Sequence, residues 1–254
     1  MSDFDRYATS RYGAGIAPSD VDQGLRAYMI GVYNYMTLGL GATGLVAYAA
    51  FALGTVQMGD GSLGLTELGH AIYVPPLRWI IVLSPLALVF YISARINSMS
   101  VASARIAFIA FAALIGLSMS ALLVVYTGAS IGRAFFATAA AFASLSLYGY
   151  TTRRDLSAMG SFMMMGVVGL IVASLLNLFL HSSGLQFGIS ILAVVIFAGL
   201  TAWDTQSIKE MYYEGDGYEA VQKKSIFGAL RLYLDFINMF QAILYLTGSN
   251  RNDR

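Results

Sequence analysis

Residues 101–126 read VASARIAFIAFAALIGLSMSALLVVY, with a single charge, Arg105, near the start. About 20 predominantly apolar residues in helical form are enough to cross the hydrocarbon core of a bilayer. This stretch therefore reads as a membrane span. Six others read the same way: Arg26–Leu53, Trp79–Ile96, Arg133–Tyr150, Ser157–Leu180, Gly184–Ile208 and Ile226–Thr247. Of the 254 residues, 57 % are hydrophobic and 11 % charged, against roughly 25 % charged in soluble domains. That argues against an ordinary soluble globule, and against a disordered chain, which needs low hydrophobicity and high charge. What remains is an all-α membrane protein with seven transmembrane helices, its lipid partner the bilayer itself. The net charge of +1 offers no basic field for nucleic acid. With no cysteine and two histidines, the chain lacks disulfide and thiolate chemistry and is poorly supplied for zinc; no cofactor is expected.

The predicted organisation is a polar N-terminal tail (1–25), a seven-helix transmembrane domain (26–247) and a short C-terminal tail (248–254). The tail carries Asp3, Asp5, Asp20 and Asp22, unlike the basic n-region of a cleavable signal peptide. Its end, Pro18-Ser-Asp-Val-Asp22, reads as a helix start. Connections are short, apart from about 25 residues between the first two spans and about 17 between the last two. With the N-terminus inside, eleven of the fifteen basic residues fall on inner segments, and only Arg78, Arg133, Arg251 and Arg254 on outer ones. The positive-inside rule thus predicts a cytoplasmic N-terminus and an outer C-terminus.

Three charges lie inside the apolar runs: Asp204 in the sixth span, Arg231 and Asp235 in the seventh. A charge at the centre of a spanning helix costs roughly 2.5–3.5 kcal/mol on insertion scales, so such residues face the protein interior and often mark ion or proton paths. Asp204 lies five residues before Lys209, ~7.5 Å at 1.5 Å per residue. Asp235 lies ~6 Å beyond Arg231, or ~13 Å beyond Ile226. The two carboxylates therefore occupy similar depths on antiparallel neighbours, near the cytoplasmic side. Two carboxylates in one low-dielectric site cannot both ionise cheaply and tend to share a proton. Deprotonated, they offer a weak Ca²⁺ site, far short of the 6–8 oxygens the ion prefers, and weak binding suits permeation because an ion must also leave. A purely structural reading stands beside this one. Arg231 and Asp235 are i, i+4 and share a helix face, and Arg95, ending the second span on the same side, could neutralise Asp204.

At these residues the chain resembles a known family. Phe197-Ala-Gly-Leu-Thr-Ala-Trp-Asp-Thr-Gln-Ser-Ile208 is similar to the sixth-helix signature of the Bax inhibitor-1 family, and Leu230-Arg-Leu-Tyr-Leu-Asp-Phe-Ile-Asn-Met-Phe240 to its last helix. Tyr28–Met36 and Ser146–Leu156 support the match, which covers roughly residues 20–247 and fits the bacterial branch. The resemblance implies a last helix placed centrally and surrounded by the other six. It also implies a pH-sensitive calcium leak in the bacterial inner membrane. It maps a di-aspartyl pH sensor onto Asp204 and Asp235, and a second-helix arginine latch onto Arg95. Eukaryotic members are associated with suppressing cell death, and some bacterial members with restraining a membrane-bound protease.

Enzyme readings fare poorly. The aspartate pair is similar to that of intramembrane aspartyl proteases, but Asp235 follows Leu232-Tyr233-Leu234 rather than Gly-x-Gly. Gly116-Leu-Ser-Met119 has the rhomboid form, yet His70 and His181 lie in outer loops, leaving Ser118 without a base. The three lysines, Lys209, Lys223 and Lys224, exclude a retinal protein with a lysine within its last helix. Asp60, Glu67 and His70 read as a solvated loop. The acidic stretch Glu214–Glu219 lacks Ca²⁺-loop spacing. Met163–Met165 reads as adaptable packing. Of the polar span residues Asn34, Asn177, Asn238 and Gln241, Asn238 shares the Asp235 face and is the best candidate to line a path. The small residues Ala137, Ala141, Ala143, Gly39, Gly41 and Gly44 read as close helix contacts. The expected function is a pH-regulated Ca²⁺ leak, not an enzyme. The alternative is a non-conducting regulator that binds a membrane protease or other membrane partner through its N-terminal tail.

Overall fold

A computed structural model describes residues 18–59 and 62–251; the tail expected to dock a partner falls largely outside these residues. Seven helices are long and apolar enough to cross a membrane. In chain order the elements are α1 (Pro18–Gly54), β1 (Thr55–Gln57), β2 (Leu63–Leu65), α2 (Glu67–Tyr73), α3 (Leu77–Arg95), α4 (Val101–Val125), α5 (Gly128–Thr151), α6 (Ser157–Leu180), α7 (Ser183–Glu210) and α8 (Tyr218–Thr247). The seven spans are where the apolar runs place them, but two helices begin well before theirs. The 37 residues of α1 make a rod about 55 Å long, against a hydrocarbon core of ~30 Å. Helix α8 starts eight residues before Ile226. Hydropathy marks only the part of a helix that must face lipid. The polar first turns of α8 carry a local pair instead, Glu219 with Lys223 at 2.9 Å. The connection before α8 therefore shrinks to residues 211–217, where Lys224 pairs with Asp216 and donates to the Met211 carbonyl at 2.8 Å.

Side chains that satisfy the orphan N–H groups of a first turn set several helix starts. Ser100, Thr127 and Ser182 accept from Ser103, Ser130 and Leu185 and open α4, α5 and α7. The long connection between α1 and α3 also carries structure. β1 and β2 pair antiparallel, Thr55 opposite Leu65. Thr66 caps α2 and donates its hydroxyl to the Leu53 carbonyl at 2.8 Å. The connection thus folds back over the end of α1. Glu67 and His70 belong to α2 and face outward, as a solvated segment would.

The last helix is central. Its spanning window is 67 % buried, against 6–39 % for the other six. Successive residues of α8 serve different neighbours. Tyr233 is fully buried; its ring meets Phe108 and Phe111 of α4 edge-on at 6.0 and 5.7 Å. Its hydroxyl bonds Thr43 of α1 at 2.6 Å. Phe236 packs edge-on against Phe135 and Phe142 of α5, both at 5.6 Å. Because lipid tails are as apolar as these side chains, interdigitation and hydrogen bonding hold such helices together, not transfer from water. The ring of six around α8 is incomplete, however. Helices α1, α4, α5 and α7 pack on it, while α3 leans mainly on α4, and α6 mainly on α7.

Close helix contacts lie elsewhere than the expected small residues. Among those, Gly39 does sit beneath Phe108 and Tyr233, but Gly41 and Gly44 face open space, and Ala137 and Ala143 are exposed. The tight crossings are at Gly116, where an added methyl would lie 2.5 Å from the Thr43 carbonyl oxygen, and at Gly149, where it would collide with the backbone of Ala202. Overpacking of this kind costs about 1–3 kcal/mol. Gly116→Ala and Gly149→Ala should each lower the unfolding midpoint in detergent by that margin, whereas Gly44→Ala should leave it unchanged. Equal midpoints for all three would refute the assignment of these crossings.

Candidate functional site

Helix α7 carries Trp203-Asp-Thr-Gln-Ser207 over less than two turns, and these side chains reach three different parts of the bundle. Thr205 and Ser146 of α5 share a hydrogen bond at 2.9 Å, and Ser146 in turn bonds Tyr33 of α1 at 2.7 Å. Gln206 clamps the α5–α6 connection: its Nε2 donates to the Arg154 carbonyl at 2.9 Å, and its Oε1 accepts from the Leu156 N–H at 2.8 Å. Asp204, 6 % exposed, faces α8. This division of labour holds the Asp204 face of α7 rigidly against the last helix.

Arg231 of α8 grips Asp204 with a two-pronged contact. Nε donates to Oδ2 at 3.2 Å and Nη2 donates to Oδ1. The remaining Nη1 donates to Ser207 Oγ at 3.2 Å, and the guanidinium lies over the Trp203 ring at 5.2 Å from its centroid. A planar fork matched to a carboxylate and stacked on an aromatic face is a geometry that lysine cannot reproduce. Asp235 is 4 % exposed and lines the same end of the cavity described below as Asp204. It forms no ion pair among the described residues, and its Oδ2 is buried without a hydrogen-bond partner. Two ionised carboxylates have no proton to share, so only a protonated pair can close a hydrogen bond between them.

These contacts correct two expected pairings. Arg231 serves Asp204 and not Asp235: its guanidinium is turned across the helix interface onto Asp204, Ser207 and the Trp203 ring of α7. Arg95 does not pair with Asp204 in this conformation. It is exposed in the last turn of α3, which packs on α4 and α2 and does not bring that turn to α7. Asp235 lies ~25 Å along α8 from Tyr218, near the middle of that helix.

The face of α8 left open by α3 and α6 borders a cavity of about 950 Å³. Asp204, Arg231 and Asp235 line one end, and Gln186, Tyr126 and Tyr245 line the other. On α7 the lining runs from Gln186 to Asp204, ~27 Å of helix, close to the thickness of a hydrocarbon core. On α8 the polar lining is Arg231, Asp235, Asn238, Gln241 and Tyr245, a stripe at three- and four-residue spacing. Extending the Arg231–Asp235–Asn238 face by helical period finds Gln241 and Tyr245 from sequence. Asn238 lines the cavity as expected, its Nδ2 held on the Leu234 carbonyl at 2.8 Å. Asn34 is exposed on α1, and Asn177 instead secures the α6–α7 turn through Gln186 at 3.0 Å and the Ser182 N–H at 3.0 Å. Trp203, Ser207 and Gln206 carry no such signal: their roles depend on what α8 and the α5–α6 connection bring to them. Among the described residues no three acidic or histidine side chains cluster to hold a metal ion. A Ca²⁺ at this site would have only Asp204 and Asp235 as protein carboxylates.

Over residues 25–252 the chain matches the family described as "Inhibitor of apoptosis-promoting Bax1". It is 44 % identical over 231 residues to the uncharacterized protein RP147 of Rickettsia prowazekii, covering 91 % of this chain and 93 % of that one. An uncharacterized protein of Caulobacter vibrioides is 42 % identical over 252 residues, 99 % of this chain and 100 % of its own. The inner membrane protein YbhL of Escherichia coli K12 is 39 % identical over 231 residues, 90 % of this chain and 94 % of its own. Nearly end-to-end matches of this strength, on a bundle of seven membrane-crossing helices, place the chain in the Bax inhibitor-1 family.

Proposed function

We propose that this protein is a pH-sensitive cation leak channel of the bacterial inner membrane, with Ca²⁺ as a transported ion. The observation that supports the reading best is that Asp204, Arg231 and Asp235 together line one end of a membrane-long cavity. The cavity supplies a path, the carboxylates a cation-attracting end, and the guanidinium a plug. As long as Asp204 is ionised, the two-pronged contact holds Arg231 in place. A proton on Asp204 removes the charge that Arg231 grips, so the plug loosens as pH falls through the titration of the pair. Arg231 thus does here what the family resemblance assigns to Arg95. The inner-membrane location and cytoplasmic N-terminus follow the distribution of basic residues and the name of the YbhL relative.

Ca²⁺ flux into liposomes carrying the purified protein, followed across about pH 5 to 8, tests this reading. Asp204→Asn and Asp235→Asn should each flatten the pH profile. Arg231→Gln should raise flux at neutral pH, since the plug is gone. An unchanged profile in both aspartate variants removes the sensor. No flux above empty liposomes at any pH makes the three residues a structural ion-pair cluster, and turns the weight to a non-conducting regulator of a membrane protease or other membrane partner.

Orientation is tested separately. With the N-terminus inside and seven spans, alkaline phosphatase fused after Arg254 should be active and a fluorescent protein fused there dark. The reverse pattern would invert the topology and with it the inner position of the aspartate pair.

A further inference from the structure

With both carboxylates ionised, the polar end of the cavity carries an unbalanced negative charge. Its ionisable residues are two carboxylates and one guanidinium, apart from the phenols of Tyr126 and Tyr245 at the far end. Arg231 is committed to Asp204 through two hydrogen bonds and to Ser207 through a third. Asp235 is left over, more than nine-tenths buried, with Oδ2 unpartnered. Three residues on, Asn238 lines the same cavity with its Nδ2 occupied on the Leu234 carbonyl, so its Oδ1 is free to accept. With Asp235 ionised, the site therefore offers one anionic and one neutral acceptor on a single helix face. Beyond this point the walls turn apolar, with Met164, Val167, Ile171, Ala193 and Leu234 among the lining residues. From Asp235 to Tyr245 the cavity follows α8 for ~15 Å. Its volume falls in the range of roughly 300–1,000 Å³ typical of sites that bury a drug-sized ligand among apolar walls with a few convergent polar groups.

We infer that this cavity is a binding site for an amphipathic primary ammonium, a single alkyl or arylalkyl chain ending in –NH₃⁺. The ammonium has three donors and no acceptor, the complement of Asp235 and Asn238 Oδ1. One positive charge cancels the one left over, without disturbing the Arg231–Asp204 contact. The chain lies along the apolar wall, where a hydrated ion would gain nothing. A bound amine would also obstruct the cavity, but its binding does not depend on whether the protein conducts.

The test uses fluorescence of Trp203, which lines the cavity. The chain has two tryptophans, and the other, Trp79, is exposed on α3, so Trp79→Phe leaves a single reporter. In phosphatidylcholine nanodiscs at about pH 8, nitroxide-labelled decylamine should quench Trp203 saturably. Half-quenching should come at about one-tenth the concentration needed with the equally labelled decanol, the scale of one charge-assisted hydrogen bond. Adding Asp235→Asn should bring the two probes within about twofold of each other. Should that variant fail to fold, Asn238→Leu removes the second acceptor and should narrow the preference in the same direction. Ala193→Phe, which fills the wall, should weaken both probes and leave their ratio intact. Equal quenching by amine and alcohol, or a preference that survives loss of Asp235, overturns the inference. Because no step measures flux, a silent channel does not affect the result, and failed amine binding does not affect the leak reading.

Discussion

A charged side chain cannot face lipid without a large penalty, and the rest of the bundle is arranged around that constraint. The last helix holds Arg231 and Asp235 in its middle third and is the least apolar of the seven spans. It takes the centre, and the strongly apolar α6, only 6 % buried, is freed for a position nearer the lipid. Its nearest counter-charge, Asp204, brings α7 alongside. Removing one partner from such a buried pair costs about 3–5 kcal/mol, because it strands the other charge. The pair therefore specifies which helix stands next to α8 and at what height.

With α7 placed on the charged face, the remaining faces of α8 are assigned by shape. Tyr233 reaches α4 and α1 through its ring and hydroxyl, and Phe236 engages two rings of α5. Four neighbours complete these contacts. The fifth and sixth, α3 and α6, stand back, and the gap they leave becomes the cavity. Packing and path thus have one origin: a helix too polar to be lipid-exposed is wrapped on most of its circumference, and its polar stripe lines the space that remains.

Much of this was legible in the chain. Apolar runs of the right length identified every span, since the bilayer imposes one length on all of them. Asp204, Arg231, Asp235 and Asn238 stood out because charge and amide groups inside such runs are rare. The helix ends were less evenly legible. The Pro18–Asp22 stretch announced the start of α1, whereas the polar first turns of α8 lie outside the stretch that hydropathy detects, so that helix begins earlier than its span. The hairpin and short helix between α1 and α3 depend on Thr66 reaching back to Leu53, a contact between residues thirteen apart that no local pattern announces.

The sequence by itself determined the class, the number of spans, the family and the few residues in the membrane that carry charge. These follow from local composition, because water and lipid select each segment according to its own side chains. Only the tertiary structure decided that Arg231 rather than Arg95 holds Asp204, that Gly116 and Gly149 rather than Gly41 and Gly44 mark the close crossings, and that Asp235 is left with an unpartnered oxygen beside a cavity. Each of these depends on the rotation of one helix about its axis relative to another. That rotation is set by the summed packing of the whole bundle, and no single stretch of chain encodes it.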